Sequence, residues 1–212
     1  KLNISEPERV FAVHKGYADA GAEFITANTF GANSLKYDNV DELVKAGVAL
    51  AKKAGKYVAL DIGPTGKLLK PMGDLEFERA VELFAEVVRA GKDGSDVAII
   101  ETMSDMYELK AAVIAVKENS SLPIITSMIF DESGRLLTGG DVKSAVAMLE
   151  GLRVDAIGFN CGLGPKQMIP LVKELRECTS LPILVMPNAG LPESVDGKTV
   201  YNVSPDEFAQ DM

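Results

Sequence analysis

The chain has 212 residues, 47% of them hydrophobic and 25% charged, with 19 Gly and 10 Pro. That is enough apolar material for a substantial core, and it excludes disordered, collagen-like and disulfide-scaffold classes. The formal charge of −9, with no cluster of Lys and Arg interleaved with aromatics, argues against a nucleic-acid or anionic membrane partner.

The first residues already carry helix chemistry. Ser5, Pro7 and Glu8 predict a helix capped by Ser5, with His14 on it near Val10, Val13 and Tyr17 as a packing residue. Six short apolar runs of β composition follow: Glu23–Ala27, Tyr57–Leu60, Val97–Ile100, Pro123–Ile129, Ala156–Phe159 and Pro182–Met186. Most are continuously apolar, as parallel strands covered on both faces are.

Helical stripes lie between them. Phe77, Ala80, Val81, Phe84, Val87 and Val88 form one. Leu109, Ala112, Val113 and Val116 form a second, with Asp105 and Glu108 spaced as a capping box. Val142, Ala145, Val146 and Leu149 form a third. The helix after Cys161 carries Leu171, Leu175 and Cys178 on its apolar stripe, and Pro170 implies a kink or a start near Met168. Glu193–Tyr201 reads as a hairpin around Asp196-Gly197 that could rim a site. Ser204-Pro205-Asp206-Glu207 opens a last short helix.

This strand–helix alternation predicts an α/β protein built of repeated βα units, with residues 1–212 as a single domain. An open doubly wound sheet and a (β/α)8 TIM barrel both fit. No G-x-G-x-x-G follows the first strand, which weakens the dinucleotide-binding version. Six strands, with helix chemistry at both chain ends, fit a barrel truncated at both ends, its first and last strands missing.

In either architecture function collects at the carboxyl ends of the strands. Asn28, Asp61, Glu101, Ser127, Asn160, Cys161 and Asn188 stand there. With one histidine in the chain and no strand-end lysine, neither a Ser-His-Asp triad nor a Schiff base is available. Glu101 follows four apolar residues, so it wants a cation: a ligand ammonium, or a salt bridge to a neighbouring loop. Asp61, before Gly63-Pro64-Thr65-Gly66, suits turn capping or ligand contact equally. Asn28 and Asn188 suit loop backbone capping or a ligand. Cys161, before a Gly-rich turn into a helix, suits a nucleophile, a soft-metal ligand or a small buried hydrophobe. Two cysteines suggest a reducing compartment, and a cytoplasmic location is expected.

The segments Asn28-Thr29-Phe30-Gly31-Ala32, Asp61-Ile62-Gly63-Pro64-Thr65-Gly66, Glu101-Thr102, Gly158-Phe159-Asn160-Cys161 and Pro187-Asn188-Ala189-Gly190 occur in this order. Together they resemble the homocysteine S-methyltransferase family, above all the homocysteine-binding modules of cobalamin-dependent methionine synthase. The resemblance implies a (β/α)8 barrel and a methyltransferase of methionine biosynthesis that methylates homocysteine as a zinc thiolate. It implies Cys161 as one of three cysteine ligands to Zn2+, the other two belonging to a G-G-C-C-G-T motif that this sequence lacks. It implies Glu101 as the partner of the homocysteine amino group; Asn28 and Asn188 are expected as further substrate-binding residues, Asn188 where a strand-end amide could approach the metal when substrate is away.

It also implies methylcobalamin as methyl donor on a separate module, with betaine or S-methylmethionine in other branches, and cobalamin- and folate-binding modules as partners. With one ligand of three, the 212-residue chain is expected to be inactive alone. Open strand edges lead us to expect dimers or aggregates. The competing expectations are another TIM-barrel enzyme acting on a small phosphorylated or carboxylated substrate, and a non-catalytic binding module.

Overall fold

The computed structural model describes residues 1–190, 192–201 and 203–212. A short helix α1 (Leu2–Ser5) runs into α2 (Pro7–Asp19). Five βα steps and a sixth strand follow: β1 (Phe24–Thr26), α3 (Val40–Lys52), β2 (Tyr57–Ile62), α4 (Phe77–Gly91), β3 (Val97–Met103), α5 (Met106–Asn119), β4 (Ile124–Met128), α6 (Val142–Gly151), β5 (Ala156–Asn160), α7 (Pro165–Cys178) and β6 (Ile183–Met186). A hairpin, β7 (Pro192–Val195) with β8 (Lys198–Tyr201), and α8 (Pro205–Asp211) close the chain.

The six strands are all parallel and pair in strict chain order, β1-β2-β3-β4-β5-β6. Strand order decides between the two candidate architectures. A doubly wound sheet reverses direction at a switch point, whereas a barrel adds each strand on the same side of the last. The sheet has no reversal and curls into part of a (β/α)8 barrel, six strands long.

The outer face of the sheet and the helix stripes form the main core. Leu60, Ile100, Ile124 and Ile157 from the strands meet Leu83, Val88, Leu109, Val116 and Leu149 from the helices, all buried. Burying each such side chain contributes roughly 1.5–3 kcal/mol before the entropy of ordering it. The inner face holds a separate small cluster, Ala59, Val97 and Ile99, against which Ile125, Leu184 and Met186 pack.

The strands at the two ends of this sheet are less covered than the rest. β1 buries only Ile25, and β6 is half-buried throughout, because each is flanked by one strand instead of two. Helix caps depart from expectation. Ser5 ends α1 and its hydroxyl donates to the Lys1 carbonyl, while Glu6 takes the N-cap of α2 without a side-chain bond. Asp105 does cap α5, accepting from the Tyr107 amide at 2.7 Å. Glu108 does not complete the box, because its carboxylate turns inward to Thr65. Pro170 lies inside α7, which begins at Pro165 and not near Met168. Cys178 packs against the core, the hairpin forms around Asp196 and Gly197 with both at positive φ, and Ser204 and Glu207 make a full capping box.

Candidate functional site

Asn160 organises the carboxyl rim of the sheet. It ends β5 and is buried. Its Oδ1 accepts from the Ser127 hydroxyl at 2.7 Å and from the Thr102 amide at 3.0 Å. Its Nδ2 donates to Thr102 Oγ1 at 2.8 Å and to Cys161 Sγ at 3.2 Å. One side chain thus ties the ends of β3, β4 and β5 together. It also places Cys161 on the same rim as Glu101, the neighbour of Thr102.

The backbone pays for this geometry locally. Thr102 has φ 65° and Cys161 φ 57°, the left-handed region that costs non-glycine residues of order 1–3 kcal/mol each. Gly162 continues the turn at φ 71°. Two backbone bonds clamp the turn to the end of β6: the Cys161 amide to the Met186 carbonyl at 3.1 Å, and the Asn188 amide to the Leu163 carbonyl at 3.0 Å. Cys161 is half-buried and unpaired, and α7 starts just beyond it at Pro165.

The second part of the rim is acidic. A cavity of about 590 Å3 is lined by Val10 and His14 of α2, by Asn28 after β1, and by Asp61 and Glu101. Asp61 lies opposite Ile99 in the β2–β3 ladder, and Glu101 follows Ile99 by two residues, so both carboxyls face the same side of the sheet. Burial first, then the charge of Glu101 and a hydrogen bond with it, holds the Asp61 carboxyl well above the usual carboxylate range. Burial also raises Glu101, and its bond to Asp61 pulls the other way. The pair therefore keeps a proton longer than exposed carboxyls do, with Asp61 the more resistant partner.

No lysine or arginine pairs with either carboxyl among the described residues, so the salt bridge considered for Glu101 does not form. Nor does Asp61 cap the turn that follows it: its Oδ1 has no hydrogen-bond partner. The turn is held instead by Glu108, which is buried and accepts from the Thr65 amide at 2.8 Å and hydroxyl at 2.6 Å. Burial raises the Glu108 carboxyl, and the Thr65 bonds oppose that rise.

Along its whole length, residues 1–212, the chain matches the family model described as homocysteine S-methyltransferase. The chain belongs to the homocysteine S-methyltransferase family. It is 30% identical over 230 residues to the methionine synthases of Mycobacterium leprae (strain TN) and Mycobacterium tuberculosis (strain ATCC 25618 / H37Rv). These alignments cover 99% of this chain and 19% of each relative, so the chain spans about a fifth of their length. Among solved structures it is similar to the metallated homocysteine methyltransferase MmuM from Escherichia coli, with a TM-score of 0.80 at 24% identity over 90% of this chain and 75% of that one. It is also similar to the GH113 beta-mannanase AaManA from Alicyclobacillus acidocaldarius, with a TM-score of 0.61 at 13% identity over 96% of this chain and 74% of that one. At these identities both structures speak to the barrel fold alone.

Within this family member, Cys161, Glu101 and Asn188 sit at one end of the sheet, and Asn28 lines the acidic cavity with Glu101. The Asn28 amide is already engaged: its Nδ2 donates to Asn3 Oδ1 at 2.7 Å, and Asn3 Nδ2 donates back to the Asn28 carbonyl at 2.8 Å. No group of three or more His, Cys, Asp or Glu fit to hold a metal ion occurs among the described residues. Cys161 alone offers a soft donor, and one sulfur does not make a zinc site.

Three residues do more than the sequence indicates. Asn160 reads as a strand-end residue beside Cys161, but its tie across β3, β4 and β5 depends on pairing that the sequence does not display. Glu108 gave a misleading signal, its spacing from Asp105. His14 was read as packing, yet it faces the cavity with its Nε2 buried and unpartnered, and burial lowers its pKa.

Proposed function

We propose that residues 1–212 are one barrel domain, part of a longer (β/α)8 unit, that binds homocysteine and presents its sulfur for methylation to methionine. The observation that carries this reading is the Asn160 network, which brings the Cys161 sulfur and the Glu101 carboxylate to one rim in a chain of this family. An amino acid with a thiol needs two such contacts: a carboxylate for its ammonium, and a soft centre for its sulfur.

A free alkyl thiol has a pKa near ~8.5 and is mostly protonated at neutral pH. In this reading Cys161 gives one sulfur to a zinc ion, and zinc, when bound, supplies the acidity that turns the homocysteine thiol into a thiolate. No group of three or more metal-holding side chains stands there among the described residues, so the 212-residue chain should bind zinc weakly and turn over poorly by itself.

The chain's own residues orient and shield. Glu101 holds the ammonium, Asn160 fixes the direction of the Cys161 sulfur, and Asn188 and Asn28 stand at the edges of the substrate. Methylcobalamin on a separate module is the proposed methyl donor, with cobalamin- and folate-binding modules as partners. The 19% coverage of the methionine synthases supports that arrangement. Two free cysteines and no described helix long and apolar enough to cross a membrane suit a reducing, cytoplasmic setting.

The test is turnover by the full-length protein. Zinc, L-homocysteine and, in separate reactions, methylcobalamin, betaine or S-methylmethionine are supplied, and methionine is followed by mass spectrometry. The wild type should form methionine with methylcobalamin, and Cys161→Ser should form almost none. Equal turnover by Cys161→Ser would overturn the role of that sulfur. No methionine with any donor would favour a binding module or a different barrel enzyme.

A further inference from the structure

Methyl transfer to sulfur gives no reason for Asp61 to be buried beside Glu101. Its side chain sits at the end of β2, 5% exposed, in the wall of the 590 Å3 cavity. Apart from the hydrogen bond it shares with Glu101, its carboxyl has no side-chain partner, and its Oδ1 is buried without a donor. Leaving an acceptor of this kind unsatisfied costs about 1–3 kcal/mol, more when it is charged. No cation of the protein relieves it among the described residues. Arg9, which also lines the cavity, is mostly exposed and paired to Glu6.

The proton shared with Glu101 relieves one carboxyl contact, and a ligand N–H would supply a donor for the oxygen still without one. Two carboxyls facing one space call for a cation, and the unpartnered oxygen calls for an N–H. A primary ammonium meets both demands. It carries three N–H donors arranged tetrahedrally, enough for one oxygen from each carboxyl and a third acceptor. A quaternary ammonium brings charge but no N–H, so it leaves Asp61 Oδ1 unsatisfied. His14, which also lines the cavity, is held towards its neutral form by burial and does not compete as a cation.

We propose that Asp61 is a second substrate-binding residue, which with Glu101 cradles the α-ammonium of the amino-acid substrate and selects a primary amine over des-amino analogues. This rests on the homocysteine reading and goes beyond it, because it assigns the recognition of the amine to a pair of carboxyls on β2 and β3.

Calorimetric titration of the full-length protein separates the two claims. The probes are L-homocysteine and 4-mercaptobutanoate, which keeps the thiol and the carboxylate but lacks the amine. Wild type should bind L-homocysteine more tightly. Asp61→Asn should weaken L-homocysteine roughly ten- to a hundredfold, the worth of one charge-assisted hydrogen bond, and leave 4-mercaptobutanoate unchanged. Asp61→Ser, a smaller replacement, should repeat the result, and circular dichroism melting should show both variants folded. If an Asp61 variant weakens both probes equally, or neither, the residue is structural and the inference is overturned. If wild type binds neither probe, the homocysteine reading itself fails and this inference falls with it.

Discussion

Asn160 is the residue on which most of the site geometry depends. Truncating it to alanine would strand the Ser127 hydroxyl and the Thr102 amide in a buried place, and would free the strained turns at Thr102 and Cys161. Each stranded group costs about 1–3 kcal/mol. Chemical denaturation of Asn160→Ala should show a loss of at least that size, and a loss under half a kcal/mol would contradict the network.

The buried carboxyls set a pH dependence whose sign is fixed. Asp61, Glu101 and Glu108 are all raised by burial. The folded state holds their protons more firmly than the unfolded chain, so their contribution to stability is full below the ordinary carboxylate range and is lost as pH rises through the raised values. Exposed Asp131, Asp141 and Glu207, lowered by serine hydroxyls and backbone amides, act the other way at the acid end. Denaturant unfolding across pH should show Asp61→Asn flattening the fall on the rising-pH side, and an unchanged slope would contradict this. The raised carboxyl was not legible from Asp61 in the sequence, where a carboxylate before Gly63-Pro64 suits turn capping and ligand contact equally. Its burial depends on a strand 40 residues away.

At the scale of elements, the stripes on α4, α5 and α6 were legible because their period matches the buried face they form. Caps were not, since a capping oxygen can be drawn off by a stronger tertiary partner, as Thr65 draws Glu108. The β5–β6 pairing has its own weak point. A Cβ on Gly158 would meet the Leu184 carbonyl oxygen at 2.0 Å, which is backbone and cannot step aside. Gly158→Ala should push β6 off the sheet, cost about 1–3 kcal/mol or more, and displace the Cys161 turn that β6 clamps. A thermal melt within a degree of wild type would show that the two strands are not packed as described.

At the scale of the whole molecule, the repeated βα units were legible in the sequence, but the choice between an open sheet and a barrel became visible only through the unreversed pairing. The curl leaves an apolar inner surface. Phe24 and Tyr57 stack at 5.3 Å with 50% and 60% of their surfaces exposed, beside a β1 edge that pairs only with β2 among the described residues. Such an edge templates further pairing. Light scattering of the 212-residue chain should therefore show association that grows with concentration, and a monodisperse monomer at high concentration would contradict it.

The claim beneath these is that one rim holds both sulfur chemistry and amine recognition. Anomalous diffraction at the zinc edge, from crystals of the full-length protein grown with zinc and L-homocysteine, tests it directly. The account predicts a zinc peak about 2.3 Å from Cys161 Sγ, with the homocysteine amine against Glu101. Zinc bound away from Cys161, or homocysteine bound away from the ends of β3 and β5, would contradict it.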